Sequence, residues 1–538
     1  MWKRKVSIKE QYGTLKHFLK GDEECHYLGQ RYIENTNIYA RREWRGVKDT
    51  AVAFTAWLRT WAGMATLPMK LPLQVNRALF RYRWFSSFML NPAMVDRWIE
   101  GDRGPALKCS LATIKALTDD VTDMVYKVFR ADKHLNGGKE NKYYDKTVIF
   151  DFSLPAHIIW GFPGYEGLNL LITLGYMLPL MRKSNGAYYT DRTMSCGVPG
   201  DLCNLVMTEV GVAVDDELPD IGNFWISTNN PCDGTIMGNA FIEKRISDNG
   251  RKTGYCLTTP LIYDDPATKA LGVHELKGAI SFIEQQTGQK FDWEALKEHL
   301  ESTNILLMEE MERWDICASS DYGCINSEVQ NLYRMYVYQR GGTEGFRSAS
   351  AKTLKIYRRA AEKHIKPYPK ARWRALAWSA EPIYYDGFSK WLYNCWGVMT
   401  VINMDSLTGH NIFDTSDKDE MLSDLADAYT HTIMRTHVVG GNLHLMQMWE
   451  TAEKFNVEMI IMYDDMACKG MAGAVGLIQD EITKHSQYKV MWVPHSLADP
   501  RVVPNADIRR AASDYMTNVM HAEPLDPTLV DFDDSMGW

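Results

Sequence analysis

The chain has 538 residues, a net charge of −8 at pH 7 and an aromatic content of 12%. That length is too great for one hydrophobic core and predicts about three domains. The charge is mildly negative and no stripe of lysine and arginine occurs, so we expect no nucleic-acid partner.

Residues 1–5 are basic, but no apolar run follows them, so we expect no secretory signal. No window reaches the roughly eighteen apolar residues that a membrane helix needs. The longest apolar run, residues 168–181, is more typical of a buried helix. We therefore expect a cytoplasmic protein with no membrane partner, whose ten cysteines are metal ligands or buried thiols rather than disulfides.

Residues 1–144 predict a helical N-terminal extension, because apolar residues recur there at helical spacing. In residues 145–274 strands alternate with helices, which predicts a first α/β lobe with a parallel sheet. The elements predicted in this lobe include strands at 147–152, 223–228 and 254–263 and a helix at 165–181.

Residues 275–366 predict a helical segment, with Asp292 as a helix cap. The alternation returns in residues 367–538, the second α/β lobe, with strands predicted at 375–379, 398–403, 458–463 and 490–493. The predicted fold class is therefore α/β: two Rossmann-like parallel-sheet lobes, an intervening helical segment and the helical N-terminal extension.

Three cysteines lie in loops of the kind in which parallel sheets place ligands. Cys232 follows the strand at 223–228, which must end at Asn-Asn-Pro because proline cannot continue a ladder. Cys468 lies between a strand and a helix of the second lobe, and Cys203 precedes a helix of the first. We interpret the three positions as equivalent, with helix N-termini that lower the thiol pKa values.

No Cys-x-x-Cys pair occurs at these positions, which argues against a zinc ribbon. Three thiolates could instead hold a [4Fe–4S] cluster whose fourth iron has a non-protein ligand. The alternative is that these thiols, like most free cysteines, are structural.

The context of these cysteines resembles the family of 2-hydroxyacyl-CoA dehydratases and ATP-dependent benzoyl-CoA reductases. The segments that carry the resemblance are Gly-Val-Pro-Gly-Asp-Leu-Cys203, Ser-Thr-Asn-Asn-Pro-Cys232-Asp-Gly and Asp-Asp-Met-Ala-Cys468. Further likenesses occur at residues 162–166, 289–292 and 499–501, in the family's order. The resemblance covers residues 145–520, and the aromatic-rich first 144 residues depart from it.

The resemblance implies that Cys203, Cys232 and Cys468 hold a [4Fe–4S] cluster with an open or non-protein fourth site. Cys196, seven positions before Cys203, is the alternative to it. The resemblance also implies an acyl-CoA substrate, a related second cluster-bearing subunit and an ATP-hydrolysing iron–sulfur activator protein. The chain has no Gly-x-x-x-x-Gly-Lys-Ser/Thr loop, as expected if ATP is hydrolysed by another protein.

The reaction implied by the resemblance is radical dehydration of a 2-hydroxyacyl-CoA to an enoyl-CoA. One low-potential electron on the thioester carbonyl makes a ketyl, which expels the 2-hydroxyl group and acidifies the β-position. A first alternative is ATP-dependent reduction of benzoyl-CoA or a related aromatic acyl-CoA. A second is a non-catalytic electron carrier in which Cys196 closes the cluster as a fourth ligand.

His157 and Glu166 follow the first predicted strand and are the candidate acid–base residues, because both should face the crevice of the cysteine loops. The structural alternative is that Glu166 forms an ion pair and that His157 is a hydrogen-bonded loop histidine. Weaker candidates lie near loops of the second lobe: His410, His437, His444 and His495.

Overall fold

The computed structural model describes residues 5–20, 22–27, 30–35, 44–150, 156–169, 171–229, 232–248, 254–258, 265–319, 322, 340–384, 387–404, 412–430 and 441–531. These residues form two four-stranded parallel sheets, an antiparallel hairpin and many helices. The predicted α/β fold with two parallel-sheet lobes is thereby confirmed.

The N-terminal extension is mostly helical, but it also contains a β-hairpin. Strands β1 (Asp22–Tyr27) and β2 (Gln30–Asn35) pair antiparallel. The helical prediction missed them because neither has the alternating apolar pattern of a half-buried strand. The helices of the extension are α1 (Ile8–Lys20), α2 (Val47–Lys70), α3 (Pro72–Arg81), α4 (Phe85–Phe88), α5 (Asn91–Trp98) and α6 (Gly104–Ala131).

The first sheet has the order β4-β3-β5-β6, and all its neighbouring strands are parallel. Its strands are β3 (Thr147–Phe150), β4 (Glu166–Asn169), β5 (Trp225–Thr228) and β6 (Gly254–Leu257). Its helices are a 3-10 helix (Ala156–Gly161), a π-helix (Leu171–Tyr176), α7 (Met177–Met181), α8 (Lys183–Met194), α9 (Asn204–Val214) and α10 (Asp233–Asp248). Every residue of β3 and β5 is buried, as expected for a parallel sheet covered on both faces.

The prediction of one helix over residues 165–181 is wrong, because this stretch begins with strand β4. Glu166 pairs with Thr147 and Asn169 pairs with Phe150 along β3. A short apolar run does not distinguish a buried strand from a buried helix by its periodicity. Gly167 shows the close packing that favours the strand, since a β-carbon there would lie 2.4 Å from the Phe150 ring.

The segment between the lobes is helical, as predicted. Its helices are α11 (Pro266–Thr287), α12 (Trp293–Ser319) and α13 (Glu344–Glu362). Asp292 accepts a hydrogen bond from the N–H of Ala295 (3.1 Å), so it caps α12 as the sequence predicts. Helix α13 packs against α6 and thereby joins this segment to the N-terminal extension.

The second sheet has the order β10-β9-β7-β8, again with parallel neighbours. Its strands are β7 (Trp373–Trp378), β8 (Val398–Asn403), β9 (Met459–Asp465) and β10 (Lys489–His495). The helices of this lobe are α14 (Phe388–Trp396), α15 (Lys418–Thr430), α16 (Gly441–Lys454), α17 (Lys469–Lys484) and α18 (Asn505–Asn518).

Alternate residues of the second sheet enter separate cores on its two faces. Leu376 and Trp378 belong to one core, and Ala375 and Ala377 belong to the other. Most buried apolar residues of the N-terminal helices, in contrast, share one core with the first lobe. No helix in the described ranges is both long enough and apolar enough to cross a membrane.

A buried ion pair joins the N-terminal extension to the second lobe. The Lys390 ammonium of α14 lies 3.2 Å from the carboxylate of Asp102, which precedes α6, and both side chains are less than 5% exposed. Lys390 also donates to the carbonyl of Trp98, and Ser110 donates to Asp102 (2.6 Å). Removal of one partner would leave the other charge buried and poorly compensated.

We expect Lys390→Met to lower the free energy of unfolding by about 3–5 kcal/mol, because the Asp102 carboxylate would lose its counter-charge. The urea midpoint, followed by circular dichroism, measures this change. Lys115→Met is the matched control, since the exposed pair between Lys115 and Asp119 should contribute little. Equal midpoints for the two variants would contradict the prediction.

Candidate active site

Cys232 and Cys468 each lie between the end of a strand and the start of a helix. Cys232 follows β5, which ends at Thr228, and directly precedes α10. Cys468 follows β9 and directly precedes α17. The carboxyl ends of parallel strands form the crevice in which α/β sheets bind ligands, so both thiols lie where the sequence predicts them.

Cys203 occupies a related but different position. It directly precedes α9, but the helix α8, not a strand, comes before its loop. The three positions are therefore not equivalent, contrary to the prediction from the sequence: Cys203 precedes a helix as expected, but it lies in a helix-to-helix loop. The physical reason is that α8 and α9 pack against each other and the cysteine loop connects them.

The three cysteine loops nevertheless converge. A β-carbon at Gly234, in the first turn of α10, would lie 3.3 Å from the β-carbon of Cys203. Burial raises the pKa of the Cys203 thiol well above its usual value, and Asp465, Cys232 and Cys468 raise it further. The three thiols, two from the first lobe and one from the second, are therefore close enough to interact electrostatically.

A charged bridge connects residues that neighbour the three cysteines. The Lys469 ammonium lies 3.2 Å from the carboxylate of Asp233 and 3.5 Å from that of Asp201. These side chains are between 43% and 66% exposed, so the bridge contributes little to stability. It shows that the three loops meet at one surface.

Buried polar contacts hold the two lobes together beside the cysteines. The Arg501 guanidinium binds Asp499 (2.6 Å) within the second lobe and Asp191 (2.8 Å) on α8 of the first. The hydroxyl group of Ser496 donates to the side-chain oxygen of Asn204, the residue after Cys203. The relative position of the cysteine loops is thus set by contacts of both lobes.

The pKa of each of the three thiols is raised overall, contrary to the expectation that helix N-termini would lower it. Burial is the largest influence on each and raises the pKa of all three, that of Cys468 to about 12. Backbone N–H groups in the first turn of each following helix point to the sulfurs and act in the opposite direction. One of them, the N–H of Thr235, lies 3.5 Å from the sulfur of Cys232.

Asp465, the last residue of β9, is a buried carboxylate that the candidate list omitted. One of its oxygens accepts hydrogen bonds from the N–H groups of Ala467 (3.0 Å) and Leu497 (3.2 Å). Burial raises its pKa to about 6. Its position just after a predicted strand, three residues before Cys468, is the feature of the sequence that could have identified it as a site residue.

Cys196 differs from the other three thiols in its exposure. It is exposed, in the turn that follows α8, and its N–H donates to the carbonyl of Thr193. The groups that most strongly influence the pKa of Cys203 include Cys232 and Cys468 but not Cys196. The structure therefore groups Cys203, rather than Cys196, with Cys232 and Cys468.

Glu166 does not face the cysteine crevice. It begins β4 opposite Thr147, so it lies at the amino end of the sheet, whereas Cys232 follows the carboxyl end. Its carboxylate lies 3.2 Å from Arg130 and 3.7 Å from Lys127, both of the N-terminal extension. The ion-pair alternative accounts for Glu166, because a residue at the start of a strand cannot reach the opposite edge.

His157 is buried, in the 3-10 helix that follows β3 along the chain. Its Nδ1 lies 3.2 Å from the Nε2 of His299, a residue that the sequence analysis did not select. Burial lowers the pKa of His299 well below its usual value. The indole of Trp160 stacks on the imidazole of His299 at 4.3 Å.

The weaker histidine candidates receive little support. His495 ends β10, is fully buried and donates from Nε2 to the carbonyl of Ala380 (2.7 Å). Burial lowers its pKa to about 3, so it remains neutral at physiological pH. His410 and His437 lie outside the described residues, as does the side chain of His444.

Across the described ranges, no group of three or more His, Cys, Asp or Glu side chains is arranged to hold a single metal ion. The thiols of Cys203, Cys232 and Cys468 are therefore near one another, but they are not as close together as the ligands of a single metal ion. A cluster in which each iron takes one thiolate spreads its ligands more widely than a single ion does.

We expect iodoacetamide to modify Cys196 and Cys256 before Cys203, Cys232 and Cys468 in metal-free protein at pH 7.5. The first two are exposed, whereas raised pKa values keep the other three as unreactive thiols at that pH. Mass spectrometry of the peptides measures the rates, with denatured protein as the control. Faster labelling of Cys203, Cys232 and Cys468 than of Cys196 and Cys256 would contradict the prediction.

Comparison with known proteins supports the resemblance. The family model described as 2-hydroxyglutaryl-CoA dehydratase, D-component, matches residues 169–506, which is more than half of the chain and includes all three converging cysteines. A search of curated proteins finds no match. On the strength of the family match, the chain belongs to the 2-hydroxyglutaryl-CoA dehydratase D-component family, of the 2-hydroxyacyl-CoA dehydratase type.

Proposed function

We propose that this chain is an iron–sulfur catalytic subunit that converts a 2-hydroxyacyl-CoA to an enoyl-CoA. The observation that supports this function best is the convergence of Cys203, Cys232 and Cys468 from loops of both lobes. The family match to a dehydratase component agrees with that chemistry. In this proposal the three thiolates hold a [4Fe–4S] cluster whose fourth iron has no protein ligand.

The environment of the thiols suits a cluster. Burial disfavours free thiolates here, so the sulfurs need a positive partner before they lose their protons, and iron supplies one. The N–H groups at the starts of α9, α10 and α17 would then stabilise the charge on the bound sulfurs. When bound, the cluster would supply a low-potential electron to the thioester carbonyl.

The residues of the chain have separate tasks in this proposal. Buried contacts around Arg501 and Ser496 keep the two lobes, and with them the thiols, in position. Of the two acid–base candidates, His157 is favoured because it follows the carboxyl end of β3, which neighbours β5. Its contact with His299 gives the imidazole a partner through which a proton can move.

We also propose two protein partners. The family description names one component of an enzyme, which supports a related second subunit as the companion of this chain. The chain lacks a phosphate-binding loop of the Walker type, so a separate ATP-hydrolysing activator protein would supply the electron.

The direct test is an oxygen-free assay of the chain with its second subunit, the activator, ATP and a reductant. With 2-hydroxyglutaryl-CoA as the first substrate, we expect loss of water, seen by mass spectrometry as the enoyl-CoA. The Cys203→Ala variant should be inactive, whereas Cys196→Ala should retain activity. Reduction of benzoyl-CoA without dehydration would favour the ring-reducing alternative, and loss of the cluster in Cys196→Ala would favour the electron carrier.

We expect His157→Gln to lower the dehydration rate by roughly a hundredfold, as is typical for the loss of a general acid or base. Glu166→Gln is the matched control and should have a much smaller effect, because its carboxylate is bound by cations at the opposite edge of the sheet. Iron content, measured in parallel, should be unchanged in both variants. A larger loss of rate in Glu166→Gln than in His157→Gln would assign the acid–base role to Glu166 instead of His157.

A further inference from the structure

A cavity of about 300 Å³ lies along β4, the edge strand of the first sheet. Helix α6 of the N-terminal extension forms one wall, and Arg340 from the middle segment closes part of another. None of the converging cysteines lines it, and β3 separates β4 from the strand that leads to Cys232. Most of its lining residues precede residue 169, where the family match begins.

The most informative group in this cavity is the carboxylate of Asp120. Its side chain is only 9% exposed, and Arg340 lies 2.5 Å from one oxygen, Oδ1. The other oxygen, Oδ2, is buried and has no hydrogen-bond partner in the described part of the chain. A buried carboxylate oxygen without a donor is costly, so a ligand that donates an N–H or O–H group would be stabilised there.

The charges that line the cavity balance one another. Asp120 faces Arg340, and Glu166 faces Lys127, so the two anions have two cations as counter-charges. A ligand with a net charge would therefore find no unused counter-charge in this lining. The electrostatics favour an uncharged ligand.

Aromatic and apolar side chains form part of the remaining walls. Trp160 lines the cavity while one of its faces stacks on His299, and the side chains of Met124 and Phe150 complete the apolar surface. The stacking holds the indole in one orientation, so the wall is rigid before a ligand arrives. Such a surface suits an aromatic ring.

We propose that this cavity is a second ligand site, distinct from the cysteine site, for a small uncharged aromatic molecule that donates a hydrogen bond to Asp120. Most of its walls lie outside the matched family region, and helix α6 of the N-terminal extension supplies one of them, Asp120 included. It does not depend on iron or on thioester chemistry.

Phenol is the probe, and anisole, which has the same ring without the O–H donor, is its matched control. We expect phenol to bind with a Kd of ~1–10 mM by ligand-observed NMR, and anisole to bind roughly tenfold more weakly. Benzoate should bind more weakly than phenol, because the lining charges are already paired.

Two variants locate the binding. Met124→Trp fills the cavity and should abolish phenol binding, and Asp120→Asn should reduce the preference for phenol over anisole. Lys115→Ala, on the exposed side of α6, is the control and should bind like the wild-type protein. Circular dichroism verifies that each variant is folded.

Absence of phenol binding, equal affinities for phenol and anisole, tighter binding of benzoate, or normal binding by folded Met124→Trp would each overturn the proposal. Any of these results would leave the proposed dehydratase function untouched, because the titration involves neither iron nor an acyl-CoA.

Discussion

Convergence of three thiols at the meeting point of two lobes is the constraint on which the site depends. Cys203, Cys232 and Cys468 come from three separate loops, and their approach requires both lobes to hold one relative position. The ion pair between Arg501 and Asp191 and the hydrogen bond between Ser496 and Asn204 both join the two lobes. The site is thus a consequence of how the lobes pack, not of a local motif.

The fold was largely predictable, because parallel strands covered on both faces are short apolar runs between turn residues. Strand β8 agrees with its predicted bounds, and β9 and β10 agree to within two residues. Strand β4 was missed since its four residues continue into an apolar helical run. Its identity depends on pairing with β3, and local periodicity carries no information about such a partner.

The site was predictable in its residues but not in its electrostatics. The cysteine contexts selected Cys203, Cys232 and Cys468, which the structure brings together. The expected lowering of their pKa values failed because burial outweighs the N–H groups of three helix starts. Glu166 does not lie beside the cysteines as the sequence analysis expected, because the register of β4 places it at the amino edge of the sheet. His299 is distant in sequence from His157, which it contacts.

The most direct test of the central claim is iron, acid-labile sulfide and visible absorption of protein purified without oxygen. The account predicts a brown protein with about four irons per chain, lost in Cys203→Ala, Cys232→Ala and Cys468→Ala and retained in Cys196→Ala. A colourless, iron-free protein whose cysteine variants fold normally would contradict it, and would leave three buried structural thiols at the interface of the lobes.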